Sequence, residues 1–384
     1  MRVGKKLFPY PVINNCEKIS SFKDSVFSLV YEDASDEENL ILKDAHIVLN
    51  NQSASIKSFI ENIEDDTQLT QEEIIAELEK EKVEIYKERV KLRDQRRELN
   101  KLHTTEARFE NLREIMEERL EEIGTLPYAK VEPFESENKG ATLLISDLHY
   151  GITVDNQFNY FDCEVCNERL DLLISKTIEK CKLHKINKLN VEILGDLVSG
   201  TIQTGCRVQQ EEDIMTQIMD ISEKLSNCIE TLANEIPNVT VYTVFGNHGR
   251  ALPDKKQSIN CENYERLVYY YMKKRVKGVK FIDAMTADFI KYNDYGKTFV
   301  ISHGDKDKKD NAIASYSKLL NDNIGEVHLA HFHSFEENID KGYIINGSVM
   351  GSDEYAISIR KNTRPLQVLK IYGDDEITYK LYLD

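Results

Sequence analysis

The sequence predicts an α/β domain preceded by a helical arm and a small mixed α/β module. Three observations carry that expectation. From Ala141 onward, short apolar runs alternate with helical stretches, the pattern of strands and helices built on a common sheet. Residues 68–123 are rich in Glu, Lys, Arg and Leu and contain neither Pro nor Gly, which reads as a long helix or a helical hairpin. Residues 1–65 hold short β-like runs around an acidic turn. The expected boundaries are therefore a module over 1–65, an arm over 66–124, a linker over 125–140 and the α/β domain over 141–384.

In the first module, β-like runs at 26–31 and 41–49 flank the acidic residues 33–38, and 54–64 could follow as a helix. No chemistry is visible there, so partner contact or positioning is its expected role. In the arm, Leu78, Ile85, Leu92 and Leu99 recur every seven residues. The seam then slips by three to Leu102, Phe109, Met116 and Ile123, a coiled-coil pattern with a stammer. Lys82, Arg89 and Arg96 occupy positions where the companion seam wants apolar residues. A hairpin packed on the α/β domain and a coil that joins two or more copies of the chain both fit. Lys82, Arg89, Arg93 and Arg96 share one side of the helical wheel, either as a stripe for nucleic-acid phosphates or as a solvated face of i,i+4 ion pairs.

Gly124 ends the arm, and the linker follows. Beyond it, strands are expected at 142–146, 189–194, 239–244, 298–301, 327–330 and 343–345, with helices at 166–184, 211–235 and 261–274. The composition sets bounds on this domain. An apolar fraction of 41% suffices for a core, and no run is long enough to span a bilayer. The start lacks the apolar stretch of a signal peptide, so a cytoplasmic protein is expected. The net charge of −17 divides into −11 over residues 1–138 and −6 over the rest. Bound divalent ions would shift the local balance further, so charge does not exclude a polyanionic substrate. Of seven scattered cysteines only Cys163 and Cys166 have metal or redox spacing, and one such pair cannot close a tetrahedral zinc site. Reduced, structural thiols are expected.

The chemistry lies at the ends of the predicted strands. There the chain places Asp147-Leu148-His149, Gly195-Asp196, Gly246-Asn247-His248, His303-Gly304-Asp305 and His331-Phe332-His333. Five of the nine histidines fall in these segments. In α/β sheets ligands gather beyond the carboxyl ends of strands. Carboxylate, imidazole and amide oxygen together suit manganese, iron or zinc, and no cysteine is present to favour a sulfur site. A pair of such ions can clamp both oxygens of a phosphate ester undergoing displacement, and lowers the pKa of bound water from about 15.7 towards ~7. A shared carboxylate must hold the pair, and Asp196 is the natural candidate. His328, alternating with Val327 and Leu329 on a strand, reads as a structural histidine. Arg250 could clamp phosphate with its planar fork or form a surface ion pair. Lys306, Lys308 and Lys309 could form a basic lip or a solvated loop.

On these five motifs, over residues 141–352, the sequence resembles the calcineurin-like metallophosphoesterase superfamily. The resemblance implies a β-sandwich flanked by helices on both sides. It implies one metal bound by Asp147, His149, Asp196 and His333, and another by Asp196, Asn247, His303 and His331. His248 would stabilise the transition state or protonate the leaving oxygen without binding metal. The pattern departs from that of the Ser/Thr protein phosphatases, which carry Asp-Arg-Gly at the end of the second motif and a glutamate after Asn-His. Here Val198-Ser199-Gly200 and Gly249-Arg250 stand at those places. Residues 346–356 resemble the tail of phosphoesterases encoded by phages and prophages of Gram-positive bacteria, which are related to the nuclease subunits of double-strand-break repair complexes.

The expectation is a two-metal hydrolase of phosphate esters, with manganese as first choice and iron, zinc or magnesium as alternatives. A phosphodiesterase or nuclease acting on nucleic acid or nucleotides comes first, with metal-bridging hydroxide as nucleophile. The alternatives are a phosphomonoesterase of nucleotides or phosphoproteins, and a partner-binding module with incidental catalysis. For a phage-encoded protein the compartment would be the host-cell cytoplasm.

Overall fold

Apolar side chains alternate along the central strands, so each strand offers one face to helices and the other to a second sheet. The computed structural model describes residues 71–202, 204–254, 258, 262–284 and 287–384. The expected module at 1–65 lies outside the described residues. The chain divides into two compact units, Met1–Arg97 and Glu98–Asp384, with the boundary inside the arm.

The arm is one continuous helix, α1 (Gln71–Ile123), rather than a hairpin. Its seam does two different things on either side of the slip. Ile85, Leu92 and Leu99 are exposed, whereas Leu112 and Met116 are buried in the core of the second unit, with Phe109 and Leu120 packed against it. Phe109 stacks on Tyr264 at 4.8 Å between ring centroids, and Tyr270 Oη donates to Glu117 at 2.7 Å. Lys82, Arg89, Arg93 and Arg96 are all exposed, with Arg93 and Arg97 each 4.0 Å from Asp94.

Within the second unit, β1 (Gly140–Ile145) leads to the hairpin β2 (Val154–Asn156) and β3 (Asn159–Phe161). Next come α2 (Cys163–Leu183), β4 (Lys188–Ile193), α3 (Thr204–Val208), α4 (Ile214–Ala233) and β5 (Asn238–Thr243). The chain continues through α5 (Glu265–Arg275), β6 (Lys280–Asp283), β7 (Phe289–Asp294), β8 (Lys297–Ser302) and α6 (Ala312–Leu320). It ends with β9 (Glu326–Leu329), β10 (Glu336–Asn338), β11 (Tyr343–Ile345), α7 (Glu354–Ser358), β12 (Leu366–Tyr372) and β13 (Ile377–Tyr382). Side chains of Asp162 and Asp213 cap α2 and α4 by accepting from the backbone N–H groups of Val165 and Met215, each at 2.8 Å. Those caps put α2 three residues ahead, and α4 three residues behind, the starts that periodicity suggests.

One sheet runs β13-β12-β1-β4-β5-β6 and the other β10-β11-β9-β8-β7. The strands β1, β4, β5 and β6 are parallel, and β12 joins β1 antiparallel from the far end of the chain. Leu144, Val368, Phe299 and Ile301 meet between the sheets. Leu143, Val191 and Val241 face α2, α4 and α5 in the first outer layer. Val300, Val327 and Leu329 face α6 in the other. The result is the expected β-sandwich with helices on both sides. No described helix is long and apolar enough to cross a membrane.

His328 confirms its structural reading. It is fully buried between the sheets, with Nδ1 2.6 Å from Glu192 and Nε2 3.1 Å from Glu326. Among the described cysteines, 163, 166, 181, 206 and 228 are all free thiols.

Candidate metal centre

The parallel strands β1, β4 and β5 end side by side, and their carboxyl ends carry the first three motifs. The strands β8 and β9 of the second sheet deliver the other two. Nine non-glycine residues among those described have a positive φ, and five of them are motif residues: Asp147, His149, Asp196, His331 and His333. Such left-handed backbone costs of order 1–3 kcal/mol per residue and persists where surrounding structure enforces it. Several enforcing contacts are visible. Asp147 N–H donates to Gly195 O at 3.0 Å, and His149 N–H donates to Asp196 O at 3.0 Å. Ser348 Oγ donates to Asp147 O at 2.9 Å, so the segment after β11 buttresses the first motif. The second and third motifs are in direct contact. A Cβ on Gly246 would lie 2.1 Å from both the backbone nitrogen and Oδ1 of Asp196, so only glycine fits there.

The side chains then converge. His149 Nε2 lies 3.1 Å from His333 Nε2, and His333 Nε2 lies 3.3 Å from Asp147 Oδ1. Asp196 Oδ2 lies 3.1 Å from His303 Nε2, which is also 3.2 Å from Asn247 Oδ1. Three sets have ligand atoms within 4.8 Å of one another: Asp147, His149 and His333; Asp196, His303 and His331; and His149, Asp196 and His248. All seven expected ligands therefore lie in one cluster, with Asp196 between its halves. His248 is in the same cluster, its N–H donating to Asp196 Oδ1 at 2.8 Å and its Nδ1 to Ser199 O at 3.0 Å.

Charge within the cluster is strongly coupled. Burial alone would raise the Asp196 carboxyl, but the imidazoles of His303 and His248 outweigh it and hold the group well below its usual range. Burial would likewise lower His303, yet the Asp196 carboxylate pulls it up to about 10. His248 follows the same balance and reaches about 9. His149 moves the other way, pushed well down by burial and by neighbouring His248.

These residues fit divalent ions. Asp147 Oδ1 is buried, lies outside hydrogen-bond geometry with every neighbour, and so presents lone pairs to the cluster. Two imidazole nitrogens face each other at 3.1 Å, and at most one can carry a proton in that gap. His303 Nδ1 donates to Leu194 O at 2.8 Å, which turns Nε2 towards the cluster as a ligand atom. The mixture of carboxylate oxygen, imidazole nitrogen and amide oxygen suits hard to borderline divalent metals.

Beside Asn247 a cavity is lined by Phe245, Arg250, Asn263, Asp288, Asp305 and Lys306. Arg250 Nε donates to Asn247 O at 3.0 Å, which ties the guanidinium to the third motif. Lys306 pairs with Asp288 at 2.7 Å, Lys309 pairs with Glu336, and Lys308 is exposed on the loop.

Sequence reasoning missed Glu265. It is fully buried, and its carboxylate accepts the backbone N–H groups of Leu197 and Gly246, each at 2.7 Å. Burial and the nearby Asp196 charge push its carboxyl up to about 7. A signal was present: Glu265 shares i, i+3, i+7 spacing with Val268 and Met272, both buried, so an acid sits at a core position.

A family model of calcineurin-like phosphoesterases matches residues 141–365. The chain is 26% identical over 337 residues to the SPbeta prophage-derived uncharacterized protein YonJ of Bacillus subtilis (strain 168), a match covering 82% of each chain. Among solved structures it is similar to Vps29 of Cryptosporidium parvum, at 16% identity and a TM-score of 0.32, over 63% of this chain and 91% of that one. It is also similar to the sulfate thiohydrolase SoxB of Thermus thermophilus, at 8% identity and a TM-score of 0.34, over 66% of this chain and 58% of that one. With the family match spanning more than half the chain, this protein belongs to the calcineurin-like phosphoesterase family and is a metal-dependent phosphoesterase.

Proposed function

We propose that the protein is a phosphodiesterase, a nuclease or nucleotide phosphodiesterase, that works with two divalent ions, manganese first. The observation that carries the diester reading is the charge of the cavity beside Asn247. Arg250 and Lys306 line it together with Asp288 and Asp305, so cations are balanced by carboxylates. With two divalent ions supplying positive charge on one side, a singly charged diester suits a balanced wall on the other, whereas a monoester dianion would call for further cations there.

When bound, the ions would supply Lewis-acid stabilisation of the phosphate and hydroxide at neutral pH. The chain's own residues do the remaining work. Asp147, His149, Asp196 and His333 would hold one ion, and Asp196, Asn247, His303 and His331 the other. His248 fixes Nδ1 on Ser199 O, and its other ring nitrogen, Nε2, would give a proton to the departing oxygen. In the metal-free chain the Asp196 carboxylate raises His248 to about 9 against the effect of burial. Arg250 would orient a non-bridging phosphate oxygen. The prophage origin of the Bacillus relative supports a phage- or prophage-encoded enzyme acting in the host cytoplasm.

Hydrolysis of bis-p-nitrophenyl phosphate and of p-nitrophenyl phosphate, each with Mn2+, tests the reading. A higher kcat/KM on the diester is expected. A strong monoester preference would replace this reading by a phosphatase. A panel of single- and double-stranded DNA, RNA and cyclic nucleotides then identifies the natural ester.

A further inference from the structure

Glu265 stands outside the ligand cluster, yet both its oxygens are committed to the loops that carry it. Oε1 accepts the N–H of Leu197, the residue after Asp196, and Oε2 accepts the N–H of Gly246, the residue before Asn247. Asn263 completes the clamp. Its Oδ1 accepts the N–H of Glu265 at 2.9 Å, and its Nδ2 donates to Gly246 O at 2.8 Å. The two loops have no slack, since Gly246 already touches Asp196. A buried carboxylate is costly unless hydrogen-bonded, and an apolar side chain would pack this helix start without bridging anything. The carboxylate is therefore placed for its two acceptor oxygens, one for each loop.

We propose that Glu265 is a positioning residue that sets the spacing between Asp196 and Asn247, and so the spacing of the two metal ions. The proposal rests on the two-metal reading above. Glu265 touches no reacting atom. It acts by holding two backbone amides, one beside the shared ligand and one beside a ligand of a single ion. Loss of such supporting contacts typically costs about 10–100-fold in metal affinity or activity.

The test uses the full chain, Mn2+ as probe and bis-p-nitrophenyl phosphate as substrate. Glu265→Gln keeps the shape but replaces one acceptor by an N–H donor. Glu265→Asp keeps the charge but is one methylene too short to reach both amides. Wild type is expected to bind two Mn2+ and to show the exchange-coupled EPR signal of a close pair. Glu265→Gln is expected to bind Mn2+ about 10–100-fold more weakly, to lose the coupled signal, and to lower kcat with little change in KM. Glu265→Asp is expected to show the same loss in smaller measure. Single-residue hydrogen exchange on the wild type should find the Leu197 and Gly246 amides protected like the central strands, and released in the variants.

Free exchange of those two amides in the wild type overturns the proposal. So does a folded Glu265→Gln with wild-type Mn2+ affinity and coupled signal. If Glu265→Gln does not fold, Glu265→Asp and the wild-type exchange data decide on the same criteria. Fewer than two Mn2+ in the wild type would end the two-metal reading, while the exchange data would still decide for or against the clamp.

Discussion

Two clusters of buried histidine and carboxylate lie in this β-sandwich, one around His328 and one around Asp196. Around His328 each charge meets its complement. Glu192 accepts from His328 and Tyr292, and Glu326 accepts from His328 and from Lys370 at 2.7 Å. None of these residues has a strained backbone. Around Asp196 the balance is reversed. Two carboxylates and five imidazoles converge, the facing nitrogens of His149 and His333 can share at most one proton, and five of the residues sit in left-handed backbone. A structural ion cluster and a metal centre thus differ in kind. Burial and charge are common to both. Convergent ligand atoms on strained strand ends, with Asp147 Oδ1 outside hydrogen-bond geometry, distinguish the second.

Four perturbations probe the two clusters. The largest effect is expected from Asp196→Asn, which removes the one carboxylate common to both halves of the centre. Metal titration should find at least one ion lost per chain and hydrolysis reduced to background, with the fold retained. Persistence of biological function in that variant would favour a binding module over an enzyme. Next is His248→Ala, which should keep its metals and lose about 10²–10⁴-fold in kcat, the range for a lost general acid. Unchanged turnover would remove His248 from the mechanism.

Third, His328→Ala should destabilise without touching metal affinity. Breaking a buried ion pair by removing one partner costs about 3–5 kcal/mol, readable by urea unfolding. The pH dependence of this cluster has a definite sign. Its partners raise His328 from 6.5 to about 9 against the effect of burial, so its stabilisation is complete below pH 6.5 and fades as pH rises towards 9. Stability that increases over that window in wild type alone, relative to the variant, would contradict the assignment.

The smallest effect is a graded one at the metal centre. Metal-free His303 is held up to about 10 by Asp196 against burial, and His333 is also raised, with Asp147 as its main partner. Both must lose protons to act as ligands, so Mn2+ affinity should rise with pH by about tenfold per unit for each proton displaced. Calorimetry in two buffers of different ionisation enthalpy counts those protons, and a count of zero would show that the imidazoles do not ligate.

Much of this was legible in the chain. The motif residues are polar and stand at the ends of apolar strands, so Asp147, Asp196 and Asn247 announce themselves against their background. His328 was legible for the opposite reason, since alternation with Val327 and Leu329 buried it. The layer order was harder to see. The strand β12 travels from residue 366 to pair with β1, and its central Lys370 is buried against Glu326, so its sequence reads as half-exposed. The slip in the arm seam was visible, but not its meaning. Leu112 and Met116 belong to the core beyond the slip, while Ile85 and Leu92 before it stay exposed. Glu265 was not legible as part of the site, because its two partners are backbone amides remote in sequence.

The most direct test of the central claim is anomalous diffraction at the manganese edge on crystals grown with Mn2+. Two peaks are expected about 3.5–4 Å apart, the spacing of two-metal hydrolases, with Asp196 between them. One should lie among Asp147, His149 and His333, and the other among Asn247, His303 and His331. A single peak, peaks that do not share Asp196, or a peak at the Glu192, Glu326 and His328 cluster would contradict it.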